Sequence, residues 1–493
     1  ETDKAVVEIE ASESGVLRRE IRKQRQHLAI RRLFQKAPNA LRRLKPCVMM
    51  SPLSVARYLD IHGPQFDLVV FDEASQVSVH DAIGALARAK QAVVVGDSKQ
   101  MPPTNFFMKK QSESDSEDDL PDDLESILDE CAAAGLPALS LRWHYRSRDE
   151  SLIAFSNARY YGSALFTFPG PVADKSRVGV SYQRVAGVYD RGGSRTNRVE
   201  AEALVAEVVE RLKRGEDKSF GVVTFNQPQQ ILVEDLLEAA RRAHPEIERY
   251  FSEDTLEPVF VKNLENVQGD ERDVILFSIC YGNDPAGKFF QNFGPLNLDG
   301  GQRRLNVAVT RAREQLKVFA SIGASDIGPS EAKGSQDLKL FLDYAERGAI
   351  ALTGEARIDL SQDRFGSPLE REVCLGLRGL SHTVHTQIGV AGYRVDLAIV
   401  DPAAPGRYLL GIECDGAMYH SAKVARDRDR IRGTVLERLG WQLRRVWSSD
   451  WWLDSKRELS RLHEAILDLQ AQGSEPAASL VPPTEDAPKS KAS

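Results

Sequence analysis

Cysteine is scarce in this chain and never paired. Five cysteines in 493 residues, Cys47, Cys131, Cys280, Cys374 and Cys414, share no spacing, so neither a disulfide framework nor a zinc site is expected. No apolar run reaches the roughly 18 residues of a membrane-crossing helix. No charged leader followed by an apolar stretch opens the sequence. A cytoplasmic protein with no membrane partner is the expectation. Basic excess is missing as well: 65 Lys and Arg stand against 72 Asp and Glu, for a net charge of −7.

That net charge hides a strong local asymmetry. Residues Leu17 to Pro46 hold Arg18, Arg19, Arg22, Lys23, Arg25, Arg31, Arg32, Lys36, Arg42, Arg43 and Lys45 against one acid, Glu20. Leu17, Ile21, Leu28 and Leu33 supply an apolar stripe, so residues 1–45 read as a basic helical pair. Such a face attracts phosphates, with salt-dependent binding; an ordinary solvated helix surface is the alternative. The acids collect in Ser112 to Asp123, a Ser/Asp/Glu loop to which no chemistry is assigned. The Ala/Pro/Ser/Lys-rich tail over 471–493 reads as disordered.

Between these lies an ordered series of short motifs. Phe71-Asp72-Glu73-Ala74-Ser75 follows the apolar run Leu68-Val69-Val70, and Gly96-Asp97-Ser98-Lys99-Gln100 follows Ala92-Val93-Val94-Val95. A strand that ends in Asp-Glu delivers carboxylates to the edge of a parallel sheet, where α/β folds bind ligands. Asp72 would hold Mg²⁺ and Glu73 would orient or deprotonate an attacking water, with Gln100 beside a terminal phosphate. Two solvated acids at a strand end are the plainer reading of that pair. Further on come Trp143-His144-Tyr145-Arg146, Asn266-Val267-Gln268-Gly269-Asp270-Glu271 and Asn306-Val307-Ala308-Val309-Thr310-Arg311-Ala312-Arg313. Arg146 and Arg311, the latter expected to open a helix, are the candidates to stabilise charge on a transferring phosphoryl group. A surface salt bridge is the other fate of each. Glu271 could take a ribose hydroxyl or serve as a helix cap.

This series resembles the motifs of superfamily 1 helicases, most closely the branch of Upf- and Dna-two-type enzymes. Asp72 to Ser75 is similar to motif II, Gly96 to Pro103 to motif III, Tyr145-Arg146 to motif IV, Val267 to Asp273 to motif V and Asn306 to Arg313 to motif VI. Thr224-Phe225-Asn226-Gln227 and Glu200-Ala201-Glu202 fall where that family's second lobe carries further motifs. The resemblance, over about 46–325, implies two RecA-like lobes, ATP bound between them at Gly269, Glu271, Arg146, Arg311 and Gln100, and single-stranded nucleic acid across their tops. The first lobe would occupy 46–148, with the acidic loop at 110–123, and the second 149–347.

One part is missing. No phosphate-cradling G-x-x-x-x-G-K-[ST] loop precedes Asp72. The near match from Gly282 to Phe289 ends in a side chain with no hydroxyl for Mg²⁺, and Gly294, Pro295 and Gly300-Gly301 follow it instead of a helix. With Glu1 rather than Met at the start, the expectation is the C-terminal part of a longer protein whose first half holds that loop, and an inactive ATPase in this part alone.

A composition break at 348–365 reads as a linker to a third unit at 366–470, expected to run helix, strand, strand, helix, strand, helix. Asp396 centres one strand, and Glu413 and Asp415 share a face of the next because side chains repeat every second residue. These acids would converge on one Mg²⁺ or Mn²⁺ that polarises a phosphodiester and activates water. Glu370 could add a contact from the first helix, and His420 could act as general acid/base or ligand. The pattern resembles the PD-(D/E)XK nuclease fold, specifically the Vsr-like endonuclease-related domains. The resemblance implies that Asp396 is the first metal acid and that Gly416 and His420 form a Gly-x-x-x-His step. It departs where a catalytic lysine is usual, two residues after Glu413, because Asp415 stands there; Lys423 is the candidate to supply the cation.

The whole reads as α/β: RecA-like helicase lobes, the first incomplete, then a small restriction-endonuclease-like domain. The resemblance implies an ATP- and Mg²⁺-dependent DNA motor with a nuclease-like domain, for DNA processing or defence against foreign DNA, meeting single-stranded DNA in the motor and duplex at the nuclease. The competing readings are a nucleic-acid-binding regulator with a degenerate motor and an inactive nuclease fold, and a motor acting on RNA.

Overall fold

A computed structural model describes residues 13–63, 65–103, 124–172, 178–252, 254–348, 350–353, 363–389, 393–404, 406–415 and 425–472. The chain divides into two compact units, Glu1–Ser140 and Leu141–Ser493. Among the described residues no helix is long and apolar enough to cross a membrane.

In the first unit the basic segment forms three short helices, over residues 13–22, Ile30–Lys36 and Pro38–Leu44, rather than a pair. Pro38 opens the third helix, where its missing N–H costs nothing. Leu17 is buried but Ile21 is 77% exposed, so the expected apolar stripe is only partly used. Two strands follow, β1 (Val69–Phe71) and β2 (Ala92–Val94), paired in parallel. Phe71, Ala74, Ala82, Ala85 and Ile127 form the core beneath them. The exits of both strands are stitched together: the Val95 amide donates to the Phe71 carbonyl, and the Ala74 amide to the Val95 carbonyl, each at 2.8 Å.

Gly96 sits where the two strand exits cross. A Cβ there would lie 2.9 Å from the Ser75 nitrogen and 3.1 Å from the Ala74 nitrogen, both backbone atoms that cannot swing away. Gly96→Ala should therefore cost about 1–3 kcal/mol, seen as a lower denaturant midpoint of the chain. An unchanged midpoint would show that the crossing relaxes freely.

The second unit opens with a five-stranded sheet in the order β3 (Gly179–Arg184), β7 (Ala312–Ala320), β6 (Arg272–Ser278), β4 (Phe220–Thr224), β5 (Phe260–Asn263), parallel throughout. Strand β4 is buried at every position and β6 at its last five, as a sheet covered on both faces requires. Helices Arg198–Lys213 and Gln227–Ala243 cover one face; Ser151–Tyr160, Gly301–Val309 and Lys333–Arg347 cover the other. This is the RecA-like sheet. Arg311 does not open a helix, as expected above. The helix ends at Val309, and Arg311 leads into β7, whose core position between β3 and β6 draws Ala312–Ala320 into the sheet.

A second, mixed sheet follows: β8 (Val384–Ile388), β9 (Val395–Val400), β10 (Tyr408–Asp415) and β11 (Leu443–Trp447), in the order β11-β10-β9-β8. Only β10–β11 is parallel. Strand β8 is absent from the sequence reading. It is a five-residue edge strand whose Val384, Thr386 and Ile388 alternate with His385 and Gln387, too short a pattern to stand out. One face packs on helices Pro368–Gly379 and Ser455–Gln472 through Val373, Leu377, Leu397, Leu410, Leu462 and Ile466. The chain is thus α/β throughout.

Candidate functional site

In the first unit, Asp72 and Glu73 leave β1 exposed to solvent. The Glu73 backbone is left-handed, φ 51°, and its amide donates to Asp72 Oδ1 at 3.0 Å. That turn presents both carboxylates outward. Gln100 is half-buried, with Nε2 donating to Asp97 Oδ2 at 3.1 Å.

In the second unit the Arg146 and Glu271 positions meet. Arg146 Nε stands 3.1 Å from Glu271 Oε2 while its side chain stays 47% exposed. The other Glu271 oxygen lies 3.5 Å from Arg313 Nη1. Arg313 is the hub: Nη1 and Nη2 pair with the Glu257 carboxylate, Nε donates to Asp273 Oδ1 at 2.9 Å, and Nη2 reaches Ser219 Oγ at 2.9 Å. Hydrogen bonds from Arg313 hold Glu257 below the usual carboxylate range. Burial opposes the ionisation of Asp273, but the Ser219 amide and Arg313 outweigh it and keep it low too. Gly269, at φ 87°, makes the turn that brings Glu271 into this cluster.

Arg311 takes a different place. It is buried, its Nε donates to the Val307 carbonyl at 2.7 Å and its Nη2 to Thr310 Oγ1 at 3.0 Å. Its carbonyl accepts the Arg272 amide at 3.3 Å, so its backbone is joined to the Glu271 turn. The opposite strand ends carry a buried polar network. Glu200 accepts from the Cys280 amide, from Ser278 Oγ and from Ser321 Oγ, and burial pushes its carboxyl up to about 7. Asn197 and Asn226 cap the two helices on that side, accepting from the Glu200 and Gln229 amides. The Glu200 and Thr224–Gln227 motifs therefore build the lobe's frame.

On the mixed sheet, the pattern-derived acids form two linked pairs. Gln387 Nε2 donates to Glu370 Oε2 at 2.8 Å and lies 3.3 Å from Asp396 Oδ1, while the Cys414 amide donates to Asp396 Oδ2 at 2.8 Å. Burial, with the charges of Glu370 and Asp415 adding, raises the Asp396 carboxyl to about 6 against the hydrogen bonds that lower it. Glu413 and Asp415 share a face of β10 and one cation: Arg445, opposite Glu413 in register, reaches Glu413 Oε2 at 3.0 Å and Asp415 Oδ2 at 2.8 Å. Tyr393 donates its hydroxyl to the other Glu413 oxygen. The expected convergence of Asp396, Glu413 and Asp415 on one point is not formed: among the described residues no group of three His, Cys, Asp or Glu side chains is arranged to hold a metal. Arg445 provides the physical reason, since it already balances two of the three charges. His420, Gly416 and Lys423 lie outside the described residues.

Sequence reasoning missed Arg313, Glu257 and Asp273 around the first cluster, and Gln387, Tyr393 and Arg445 around the second. Arg313 carried a signal, two residues beyond Arg311 at the same strand parity as Arg311 itself. Asp273 and Glu271 are likewise two apart. Glu257 and Arg445 carried none, because each arrives from another element.

Comparison with known proteins adds to the geometry. Residues 4–107 match AAA_11, an AAA domain, residues 124–323 match AAA_12, also an AAA domain, and residues 369–466 match the REase_MTES_1575 model. An uncharacterized ATP-dependent helicase of Mycoplasma pneumoniae is 30% identical over 465 residues, covering 88% of this chain and 40% of that protein. One from Mycoplasma genitalium is 29% identical over 472 residues, covering 90% of this chain and 40% of that protein. A DNA replication ATP-dependent helicase/nuclease of Arabidopsis thaliana is 25% identical over 295 residues, 55% of this chain and 19% of that protein. The chain spans about 40% of the length of the two Mycoplasma relatives.

Proposed function

We propose, for a chain that carries two AAA domains of the helicase type and a REase_MTES_1575 domain, that it serves an ATP-dependent DNA helicase or translocase with an appended metal-dependent nuclease. In this reading Asp72 and Glu73 handle Mg²⁺ and the attacking water, Gln100 reports the terminal phosphate, and Arg146 faces the nucleotide with Glu271 beside it. Arg311 holds the turn that aims them. Single-stranded DNA runs over the motor and duplex DNA meets the mixed sheet. DNA processing, or defence against foreign DNA, is the task such a pairing suits.

The observation that carries the nuclease half is Asp396. It stands beside Glu370 and Asp415, its carboxyl raised to about 6 by burial first and by those two charges after it, and an all-oxygen donor set suits Mg²⁺ or Mn²⁺. Asp396 would meet the ion, while Arg445 holds Glu413 and Asp415; the ion would supply charge neutralisation at a phosphodiester and a more acidic water. The chain's own residues orient the acids: Gln387 and the Cys414 amide fix Asp396, and Tyr393 and Arg445 fix Glu413.

A pH dependence follows. The folded chain holds the Asp396 proton more tightly than the unfolded one, whose ordinary value is 3.8. The stability this group contributes is full below that value and is lost as pH rises through about 6. Metal competes with the same proton, so Mn²⁺ affinity should climb about tenfold per pH unit up to that point and level off above it. Calorimetric titration between pH 5 and 8 measures this, and a flat profile would remove Asp396 from the ligand set.

Arg445 favours a second reading, in which the nuclease fold binds DNA without cutting it, because a guanidinium already neutralises Glu413 and Asp415. Labelled DNA incubated with Mg²⁺ or Mn²⁺ separates the two: no cleavage, with retained binding, selects the second. Competition between DNA and RNA in stimulating ATP hydrolysis by the full-length protein tests the motor's substrate.

A further inference from the structure

The basic segment of the first unit turns its acids inward and its cations outward. In the helix over residues 13–22, Glu13, Leu17 and Glu20 recur at helical spacing, and all three are buried. Each carboxylate is committed to the fold. Glu13 Oε2 accepts the Ala40 amide at 2.7 Å and Oε1 accepts Asn39 Nδ2 at 3.2 Å, which ties this helix to Pro38–Leu44. Glu20 Oε2 accepts the Leu28 amide at 2.9 Å, and its other oxygen pairs with Lys23. Ten of the eleven Lys and Arg from Leu17 to Pro46 are exposed, and Arg42 is half-buried.

Helices of the second unit treat surface arginines differently. Arg198 pairs with Glu202, Arg214 with Glu210 and Arg347 with Asp343, each one helical turn apart. Such interleaving of signs is what helix stability and solubility favour. The basic segment breaks the pattern. Arg18 and Arg22, and then Arg32 and Lys36, place like charges one turn apart, an arrangement that repels. A face that carries this repulsion, in a chain of net charge −7, is matched to a polyanion. A row of phosphates is one, and contacts to it require no particular base sequence.

We propose that the three-helix segment over residues 13–44 is a docking surface for the phosphate backbone of DNA. Resting on the DNA reading above, this places one nucleic-acid contact in the first unit. Arg18, Arg22, Arg25, Arg32 and Lys36 supply the cations, and Glu13 and Glu20 fix the helices that present them. These are permanent charges on a fixed frame, so the hold needs neither ATP nor a chosen sequence. An electrostatic hold of this kind releases counterions, and its strength falls steeply with salt.

Binding of labelled DNA, duplex and single-stranded, to the full chain without nucleotide tests this across a series of salt concentrations. Joint substitution Arg18→Gln, Arg22→Gln and Arg25→Gln should flatten the log–log salt slope by about 2 to 3, the amount that three lost phosphate contacts account for. Affinity at low salt should fall about tenfold or more. A control variant, Arg198→Gln with Arg214→Gln and Arg347→Gln, removes the same charge from the second unit and should keep the wild-type slope and affinity. An unchanged slope and affinity in the first variant, or an equal loss in the control, overturns the docking surface while leaving DNA binding in place. A wild-type chain that binds no DNA overturns the DNA reading and the docking surface together. Kept DNA affinity with lost binding to phosphatidylserine vesicles assigns the face to a lipid surface and also overturns the proposal. Should the first variant alter the circular dichroism spectrum, Arg32→Gln with Lys36→Gln and Lys45→Gln decides in its place.

Discussion

Asp396→Ala should reduce Mg²⁺- or Mn²⁺-dependent DNA cleavage by a factor of about a thousand or more. A bound divalent ion contributes several kcal/mol of charge stabilisation at a phosphodiester, and about 4 kcal/mol corresponds to that factor. Asp396 is the acid best placed to be decisive. It centres its strand, it feels the charges of Glu370 and Asp415, and burial with those charges raises its carboxyl to about 6. Removing it should not unfold the sheet, because the folded state bears the cost of its ionisation at neutral pH. Asp396→Asn, which keeps the size and an acceptor for the Cys414 amide, should lose cleavage while matching or exceeding wild-type stability. Cleavage is read on a labelled duplex and a labelled single strand, with chemical denaturation as the control. Equal cleavage by wild type and both variants would end the nuclease reading.

The motor-type lobe was readable because its signals are local. Buried parallel strands appear as apolar runs, as Val274–Phe277 and Val222–Val223 do, and the motifs follow at strand ends. Arg311 shows the limit of that reading. A run containing Val307, Val309 and Leu316 fits helical spacing on paper, yet the helix stops at Val309 and, after Thr310 and Arg311, the nine residues Ala312–Ala320 join a sheet. The choice is made by β3 and β6, which flank β7 on both sides and are distant in sequence. Tertiary pairing overrode local periodicity.

The acid site was readable one strand at a time. Alternation along β10 correctly puts Glu413 and Asp415 on one face, but what faces them depends on β11, whose Arg445 lies 32 positions from Glu413. Gln387 belongs to the strand the pattern missed. Phe168 and Pro169 are further still from Tyr393 and Trp441, the latter 272 positions away from its carbonyl partner. No spacing rule reaches such distances. What was legible was the set of acids; what was not was the set of neutral and cationic groups that aim and balance them.

Arg313→Ala should cost about 2–4 kcal/mol of stability, placing the effect among the largest that one substitution in the motor-type lobe can produce. Losing one partner of a buried ion pair costs about 3–5 kcal/mol, and the 23% exposure of the Arg313 side chain lowers that figure somewhat. Three carboxylates, Glu257, Asp273 and Glu271, depend on this guanidinium. Its departure leaves them to repel one another, with Arg146 on Glu271 and Arg272 near Glu257 and Asp273 as the remaining cations. Lysine should not rescue, since a single ammonium cannot reach Glu257 through two nitrogens and Asp273 through a third. The sign with pH is testable as well: Glu257 and Asp273 are held below their usual range in wild type, so the stability they contribute is present above that range and is lost as pH falls below it. Arg313→Ala should shrink that contribution, since Ser219 and Arg272 then remain to hold these carboxyls low, leaving a flatter acid limb in chemical denaturation measured from pH 7 down to pH 3. An unchanged midpoint and an unchanged acid limb would show that the cluster is a solvated surface pairing, with Arg146 and Glu271 positioned by the Gly269 turn alone.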